Sequence, residues 1–203
     1  MMTARPIIKS FTPPSVSLRE VLRYMRCKEH TATIGALIDR SLNICLSSLR
    51  YDTVYFITPI SISSDEIDMG FCKTQSRDLA RCLDGCSQAV VLAATVGLDI
   101  DRLISRYSRL EPSVAVCLDA IGAERIEALC DVFCDELSTE LTRNGYSLRP
   151  RFSPGYGDLP LELQRDIFKA LDCPKVIGLT LSESLLMTPS KSVTAIIGIK
   201  NNK

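Results

Sequence analysis

Residues 112–143 read PSVAVCLDAIGAERIEALCDVFCDELSTELTR and form the longest helical pattern in the chain. Apolar residues recur in this segment at intervals of three or four, the spacing of one helix face: Val116, Ala120, Ala123, Ile126, Cys130, Phe133, Leu137 and Leu141. Gly145 ends the pattern, since glycine past the last turn accepts the left-handed conformation. We predict one long helix here as the spine of the fold. Its acidic residues are predicted to form a solvated face: Glu124, Glu127, Asp131 and Asp135.

The residues before this segment predict helices alternating with strands. β-Branched and aromatic residues at 53–58 indicate a strand, and the apolar run at 88–95 indicates a buried one. A further strand is predicted at 67–72. Periodic apolar residues predict helices at 18–27, 33–49, 76–83 and 100–107.

The residues after the long helix predict an extended segment, a helix and two strands. Residues 147–152 are expected to be extended, and residues 185–187 and 193–199 to form strands around a turn. Asp158-Leu159-Pro160 is typical of a helix start, with Asp158 as the cap. Pro174 is expected to end that helix. We predict a single α+β domain over residues 1–203.

Composition excludes several classes of function. Lys+Arg and Asp+Glu balance at 24 each, so there is no basic excess to release counterions from nucleic acid. Residues 1–10 lack the pattern of a secretory signal, and the longest apolar run, 89–98, is about half a membrane span. We expect a cytoplasmic protein that binds neither nucleic acid nor membrane.

The nine cysteines are predicted to be mostly small buried hydrophobes. Their odd number argues against a disulfide framework, and no Cys-x-x-Cys pair is present. One alternative stays open, a soft-metal site shared by Cys72, Cys82 and Cys86.

Arg151-Phe152-Ser153-Pro154-Gly155-Tyr156 is the candidate ligand site. Proline presets φ for one corner of a turn, and glycine tolerates the positive φ that the next corner of a type II turn needs. Such a bend brings a guanidinium, which pairs with carboxylate or phosphate, and a phenol toward one pocket. No nucleophile or proton-transfer pair is evident, so the chemistry is binding of a small anionic or zwitterionic ligand. A surface loop with a packed tyrosine is the structural alternative.

Three ordered blocks carry a family resemblance: Arg151-x-x-Pro154-Gly155-Tyr156, Leu181-Ser182-Glu183-Ser184 and Ser190-Lys191-Ser192-Val193-Thr194-Ala195. They resemble the Arg-x-x-x-Gly-Tyr, Leu-Thr-Glu-Ser and Ser-Val-Ser-Gly segments of the reactivation domain of cobalamin-dependent methionine synthase. The match is closest over residues 149–198, about a quarter of the chain, with a fainter Ala-Glu-Arg-Ile match at 123–126. It implies an activation-domain-like fold with a mainly antiparallel sheet, long helices and a C-terminal strand–turn–strand.

The resemblance also implies a function. Domains of this family bind S-adenosylmethionine and present its methyl group to cob(II)alamin, so that a one-electron reduction restores methylcobalamin. By position, Arg151 would pair with the methionyl carboxylate, Ser153 would offer backbone groups and Tyr156 would contact the ligand. Pro154 and Gly155 would shape the turn, and Glu183 and Ser184 would be architectural. The family's tryptophan-containing ligand segment has no counterpart, because the chain has no tryptophan.

The partners expected from this resemblance are a cobalamin-binding methyltransferase or corrinoid protein and a flavodoxin-like electron donor. The domain itself would supply no acid–base catalyst. Two other functions stay open: a non-catalytic docking subunit of a corrinoid methyltransferase system, and a cysteine-based redox or metal protein.

Overall fold

The computed structural model describes residues 5–27 and 29–202. Its strands are β1 (Ile7–Ser10), β2 (Asp52–Pro59), β3 (Ser61–Ser63), β4 (Glu66–Asp68), β5 (Lys73–Gln75), β6 (Cys86–Thr95), β7 (Tyr146–Leu148), β8 (Thr180–Leu181), β9 (Met187–Thr188) and β10 (Ser192–Asn201). Its helices are α1 (Leu18–Tyr24), α2 (Ala32–Cys45), α3 (Arg77–Cys82), α4 (Asp99–Leu110), α5 (Pro112–Thr142), α6 (Leu163–Leu171) and α7 (Cys173–Val176), and a short 3₁₀ helix, Leu46–Ser48, follows α2.

The centre of the fold is a five-stranded antiparallel sheet in the order β1-β2-β6-β10-β7. β6 is the middle strand, paired with β2 on one side and with β10 on the other. Residues 89–95 of β6 are all buried, because elements pack on both faces of the sheet. A strand buried on both faces reads as a continuous apolar run, as β6 does. The strands predicted at 88–95 and 53–58 are both confirmed.

Neighbouring residues of β6 pack against different helices, because successive side chains of a strand point to opposite faces. Val91 belongs to an apolar cluster with Leu79 of α3 and Ile167 of α6. Val90 belongs to a cluster with Phe133 of α5. Each such buried side chain contributes about 1.5–3 kcal/mol of transfer free energy. The sheet is therefore held between α6 with α3 on one face and α5 on the other.

The long helix α5 confirms the spine predicted at 112–143. Its N-terminal half is surrounded by α1, α2 and α4 as well as the sheet, so residues on nearly every side of it are buried. Val116, predicted on the buried face, is instead exposed. Glu124, predicted on the solvated face, is almost fully buried. Periodicity predicts one buried face for this helix, but neighbouring elements bury it on several sides.

A buried ion pair on α5 holds the N-terminal segment in place. Arg125 is fully buried and binds both carboxylate oxygens of Glu124 at 2.5 Å. The same guanidinium donates to the carbonyl oxygens of Pro14 and Ser15 at 2.6 and 2.7 Å. Glu124 also accepts from the Ser17 N–H, at the N-cap of α1. The Ala-Glu-Arg-Ile segment therefore anchors the chain that enters α1.

Several predicted element boundaries are wrong, among them the strand predicted at 185–187, because β9 contains only Met187 and Thr188. The strand predicted at 67–72 ends at Asp68, and the chain turns through Gly70, whose φ is +79°, before β5 begins. The helix predicted to start at Asp158 begins only at Leu163. Its end comes at Asp172, a residue with φ of +51°, while Pro174 lies inside α7.

None of the helices in residues 5–27 and 29–202 combines the length and apolar character that a membrane span requires.

Candidate functional site

The Arg151–Tyr156 segment lies beside the central sheet, next to β10. Phe152 and Ile196 exchange both backbone hydrogen bonds, at 2.9 and 2.8 Å, as an isolated antiparallel bridge. The following turn closes with the Tyr156 N–H donating to the Ser153 carbonyl at 3.1 Å. Gly155 has φ of +88°, which fits the second corner of a type II turn and agrees with the sequence prediction.

Two further backbone hydrogen bonds form between the turn and the loop that follows it. The Gly155 N–H donates to the Leu159 carbonyl at 3.0 Å, and the Leu159 N–H donates to the Tyr156 carbonyl at 2.9 Å. Leu159 is buried in the core beneath the loop. The N–H groups of Gly155 and Tyr156 are thus committed within the loop, and they do not offer free donors to a ligand.

Asp158 fixes the far end of this loop on α3. Its carboxylate accepts from the Ser76 hydroxyl, from the Arg77 N–H at 2.8 Å and from the Asp78 N–H at 3.2 Å. These hydrogen bonds, the Ser76 bond first, lower the pKa of Asp158. The prediction that Asp158 caps the helix that follows it is therefore wrong: its carboxylate instead accepts from the first turn of α3, whose N-cap residue is Ser76.

A pocket of about 310 Å³ opens beside the turn. Its polar lining comes from Glu127, Arg151, Ser153, Gln164, Ser192 and Thr194. Its apolar lining comes from Phe152, Pro154, Tyr156, Met187 and Val193. This volume is at the lower end of the range for small-molecule sites.

Arg151 is held from one side by two acids of α5. Its Nη2 donates to Glu127 at 2.9 Å and to Asp131 at 3.0 Å. Its Nη1 is buried and has no hydrogen-bond partner among the described residues. Burial, followed by the charges of Glu127 and Asp135, raises the pKa of Asp131. Glu127 and Asp131 therefore orient the guanidinium through Nη2 and leave Nη1 without a protein partner.

Unpartnered polar atoms concentrate at this pocket. Buried side-chain nitrogen or oxygen atoms without a partner occur at five described positions, and three of these belong to residues that line the pocket: Arg151 Nη1, Gln164 Oε1 and Thr194 Oγ1. Buried polar groups are normally hydrogen-bonded, and exceptions call for an explanation such as a missing ligand or water. The pocket thus presents a cationic donor and two neutral groups whose partners are not supplied by the protein.

Five of the six predicted site residues line this pocket, and Gly155 shapes the turn without lining it. Glu127, Gln164 and Met187 were missed, because they come from other elements and carry no local motif. Ser192, Val193 and Thr194 lie within one of the resemblance blocks, which was the available signal for them. Glu183 and Ser184 do not line the pocket, although the Glu183 carbonyl accepts from Arg165 of α6 at 2.7 Å.

The nine cysteines are all free thiols. Burial raises the pKa of Cys45 and Cys134 to about 11, and that of Cys72 and Cys173 to about 12. In the described part of the chain, no three His, Cys, Asp or Glu residues converge in a way that could hold a metal ion. Cys72, Cys82 and Cys86 therefore do not form the shared ligand set that the sequence left open.

Comparison with known proteins identifies the fold. No protein-family model and no curated protein matches the sequence. Among solved structures, the chain is similar to the MetH reactivation domain bound to AdoHcy, with a TM-score of 0.67 and 16% identity. The match covers 97% of this chain and 79% of that one. The chain has the fold of that domain, which confirms the predicted fold class and extends the similarity well beyond the C-terminal blocks.

Proposed function

We propose that this chain binds S-adenosylmethionine in the pocket beside Arg151 and presents its methyl group to a corrinoid held by a separate protein. The observation that carries the proposal is the buried, unpartnered Nη1 of Arg151 in a pocket of a fold whose solved relative binds AdoHcy. A guanidinium nitrogen fixed in this way suits the carboxylate of an amino-acid ligand. Glu127, which also lines the pocket, would place negative charge near the ligand's ammonium group.

The methyl acceptor belongs outside this chain. A pocket of about 310 Å³ is too small for a corrin macrocycle in addition to the nucleoside. Tyr156 at the pocket is 70% exposed, and Leu186, next to the lining residue Met187, is 69% exposed. These two side chains offer an apolar surface on which a corrinoid protein would dock.

The reaction needs one electron from outside as well. Transfer of a methyl cation from the sulfonium to cob(II)alamin, with one added electron, gives methylcobalamin and the neutral thioether S-adenosylhomocysteine. A flavodoxin-like donor would supply that electron. The role of the chain is then to bind and orient the methyl donor, which fits a pocket built for binding. By this proposal the chain reactivates a cobalamin-dependent methionine synthase or a related corrinoid methyltransferase in the cytoplasm.

Calorimetric titration with S-adenosylmethionine tests the proposal. Arg151→Ala should weaken binding by about 1.5–3 kcal/mol, the scale of a hydrogen bond to a charged group, which is roughly 10- to 150-fold. Arg106→Ala is the matched control, because Arg106 is an exposed arginine of α4 outside the pocket. Arg151→Ala binding as tightly as the wild type would contradict the assignment. Folded wild-type protein that binds no ligand would favour the non-catalytic docking subunit.

A further inference from the structure

Gln164 and Thr194 lack the side-chain hydrogen bonds that most buried polar residues of the described protein make. Ten polar or charged side chains are buried. Eight of them make at least one side-chain hydrogen bond. The other two are Gln164 and Thr194, which are 5% and 2% exposed and make none within the described residues. Both line the pocket beside Arg151.

Ser192 provides an internal comparison, since it lies two residues from Thr194 on the same strand and lines the same pocket. Its hydroxyl donates to the Pro189 carbonyl at 2.8 Å and lies 2.8 Å from the Thr95 hydroxyl. The protein therefore supplies partners for one pocket hydroxyl and not for the other. An unpaired buried polar group is costly, and such a cost is tolerated where a ligand or water completes the hydrogen bond.

We infer that Gln164 and Thr194 form a neutral hydrogen-bonding subsite that recognises the uncharged nucleoside half of the ligand. The inference rests on the proposed function and deepens it. Gln164 Oε1 is an acceptor that needs an N–H or O–H donor, and the Thr194 hydroxyl can donate or accept. The sugar hydroxyls and the amino edge of the base both offer such groups, whereas the carboxylate is matched to Arg151. Two elements, the first turn of α6 and the strand β10, supply the subsite.

This subsite would act as a specificity determinant. A ligand lacking the matching donors would leave Gln164 and Thr194 buried and unpaired, and sites of this kind reject such analogues strongly. A free amino acid such as methionine would satisfy Arg151 alone. The intact nucleoside would satisfy both ends of the pocket.

Variants that keep shape and remove polarity test the subsite. Thr194→Val and Gln164→Met should each weaken binding of S-adenosylmethionine roughly 5- to 50-fold, in line with a lost hydrogen bond. Decarboxylated S-adenosylmethionine separates the two ends of the pocket. Arg151→Ala should bind this analogue as tightly as the wild type does, whereas Thr194→Val should still bind it more weakly than the wild type does.

Stability provides a readout that needs no ligand. Thr194→Val should leave the midpoint of urea denaturation unchanged or raise it, because it removes a buried hydroxyl that has no partner. Thr53→Val is the matched control, since the buried Thr53 hydroxyl donates to the Lys9 carbonyl at 3.0 Å and its loss should lower the midpoint.

Two analogues distinguish sugar recognition from base recognition. If the wild type binds 2′-deoxy S-adenosylhomocysteine more weakly than S-adenosylhomocysteine, and Thr194→Val binds the two equally, the subsite recognises the sugar. The same result with an analogue that has a deaminated base would show that the subsite recognises the base. Both variants binding S-adenosylmethionine within twofold of the wild type would overturn the subsite and leave the proposed function standing. A wild type that binds none of these nucleosides would overturn both.

Discussion

At the scale of single residues, the restraint on Arg151 matters for geometry more than for stability. Its partners Glu127 and Asp131 have side chains that are 45% and 69% exposed. Ion pairs with exposed partners contribute about 0–1 kcal/mol, because water screens the charges. Both acids bind the same nitrogen, Nη2, and so fix the plane of the guanidinium. The consequence is a donor that is oriented before any ligand arrives, which lowers the entropic cost of binding.

Gly155→Ala is expected to disturb both stability and ligand binding. Gly155 has φ of +88°, and an added Cβ would lie 3.1 Å from Leu161 Cδ1. The left-handed conformation costs a residue with a side chain about 1–2 kcal/mol, and the tight contact adds to that cost. Urea denaturation should show this loss, and titration should show weaker binding of S-adenosylmethionine, because the turn that places Ser153 and Tyr156 would shift.

Gly178→Ala is the matched control. Gly178 has φ of +67°, and an added Cβ would meet no heavy atom within 4 Å. Gly178→Ala should lose only the stability that corresponds to the left-handed backbone conformation, and it should bind the ligand as tightly as the wild type. Equal affinity of Gly155→Ala and Gly178→Ala for the ligand would contradict a role of the turn in the site.

Some residues of the site could be predicted from the sequence around them, and others could not. The type II turn could be predicted because Pro154 and Gly155 encode its backbone angles themselves. Glu127 could not, since an acidic residue between the apolar positions of a helix is usually solvated. Its role depends on Arg151, which is 24 residues later in the chain. Gln164 and Thr194 could not be predicted either, because only the folded structure shows that both are buried beside the pocket without a hydrogen-bond partner.

At the scale of elements, periodicity predicted the extent of α5 but not its surroundings. The apolar spacing gave bounds within one residue of Pro112–Thr142. It placed Glu124 in solvent, whereas the N-terminal segment covers that position and Arg125 neutralises the carboxylate. A buried carboxylate is tolerated when it is paired and hydrogen-bonded. The burial of Glu124 depends on a segment more than 100 residues earlier in the chain, which the helical pattern does not report.

The misplaced start of α6 has a similar origin. Asp158 and Pro160 have the composition of a helix start, but the chain first completes the loop in which Leu159 reaches the core. Asp158 instead caps α3, more than 75 residues earlier, together with Ser76. Local composition could not show that the Asp158 carboxylate binds the first turn of a helix distant in sequence.

The Asp158 cap predicts a dependence of stability on pH. The pKa of Asp158 is lowered in the folded protein, so its ionised form is favoured over that in the unfolded chain. Its contribution should be fully present above the ordinary value of 3.8 and be lost as the pH falls through the lowered folded value. Asp158→Ala should therefore lower the denaturation midpoint at pH 7, and its difference from the wild type should shrink as the pH falls below 3.8.

Asp39→Ala serves as the control for this measurement, because Asp39 is an exposed aspartate of α2 that lies outside the Asp158 cap. Its difference from the wild type should show no such convergence at low pH. A gap between Asp158→Ala and the wild type that stays constant from pH 7 to pH 2 would contradict the cap as the cause.

At the scale of the whole molecule, the pocket joins parts of the chain that are distant in sequence. Glu127 comes from α5 on one face of the sheet, Gln164 from α6 on the other, and Thr194 from β10 between them. The Arg151–Tyr156 segment links these parts through its bridge to Ile196. A ligand in the pocket would therefore contact elements from both faces, and its binding energy would stabilise the sheet and both layers together.

This arrangement predicts one cooperative unfolding transition that shifts as a whole with ligand. Differential scanning calorimetry should give a calorimetric enthalpy equal to the van't Hoff enthalpy, as expected if residues 1–203 form the single predicted domain. S-adenosylmethionine at 100 times its Kd should add about 2.7 kcal/mol of stability, which raises the Tm of a domain of this size by roughly 5 to 10 °C. Arg151→Ala should lose most of that shift at the same ligand concentration, while Arg106→Ala should keep it. Two separate transitions, only one of which moves with ligand, would contradict the single domain and confine the pocket to one part of the chain.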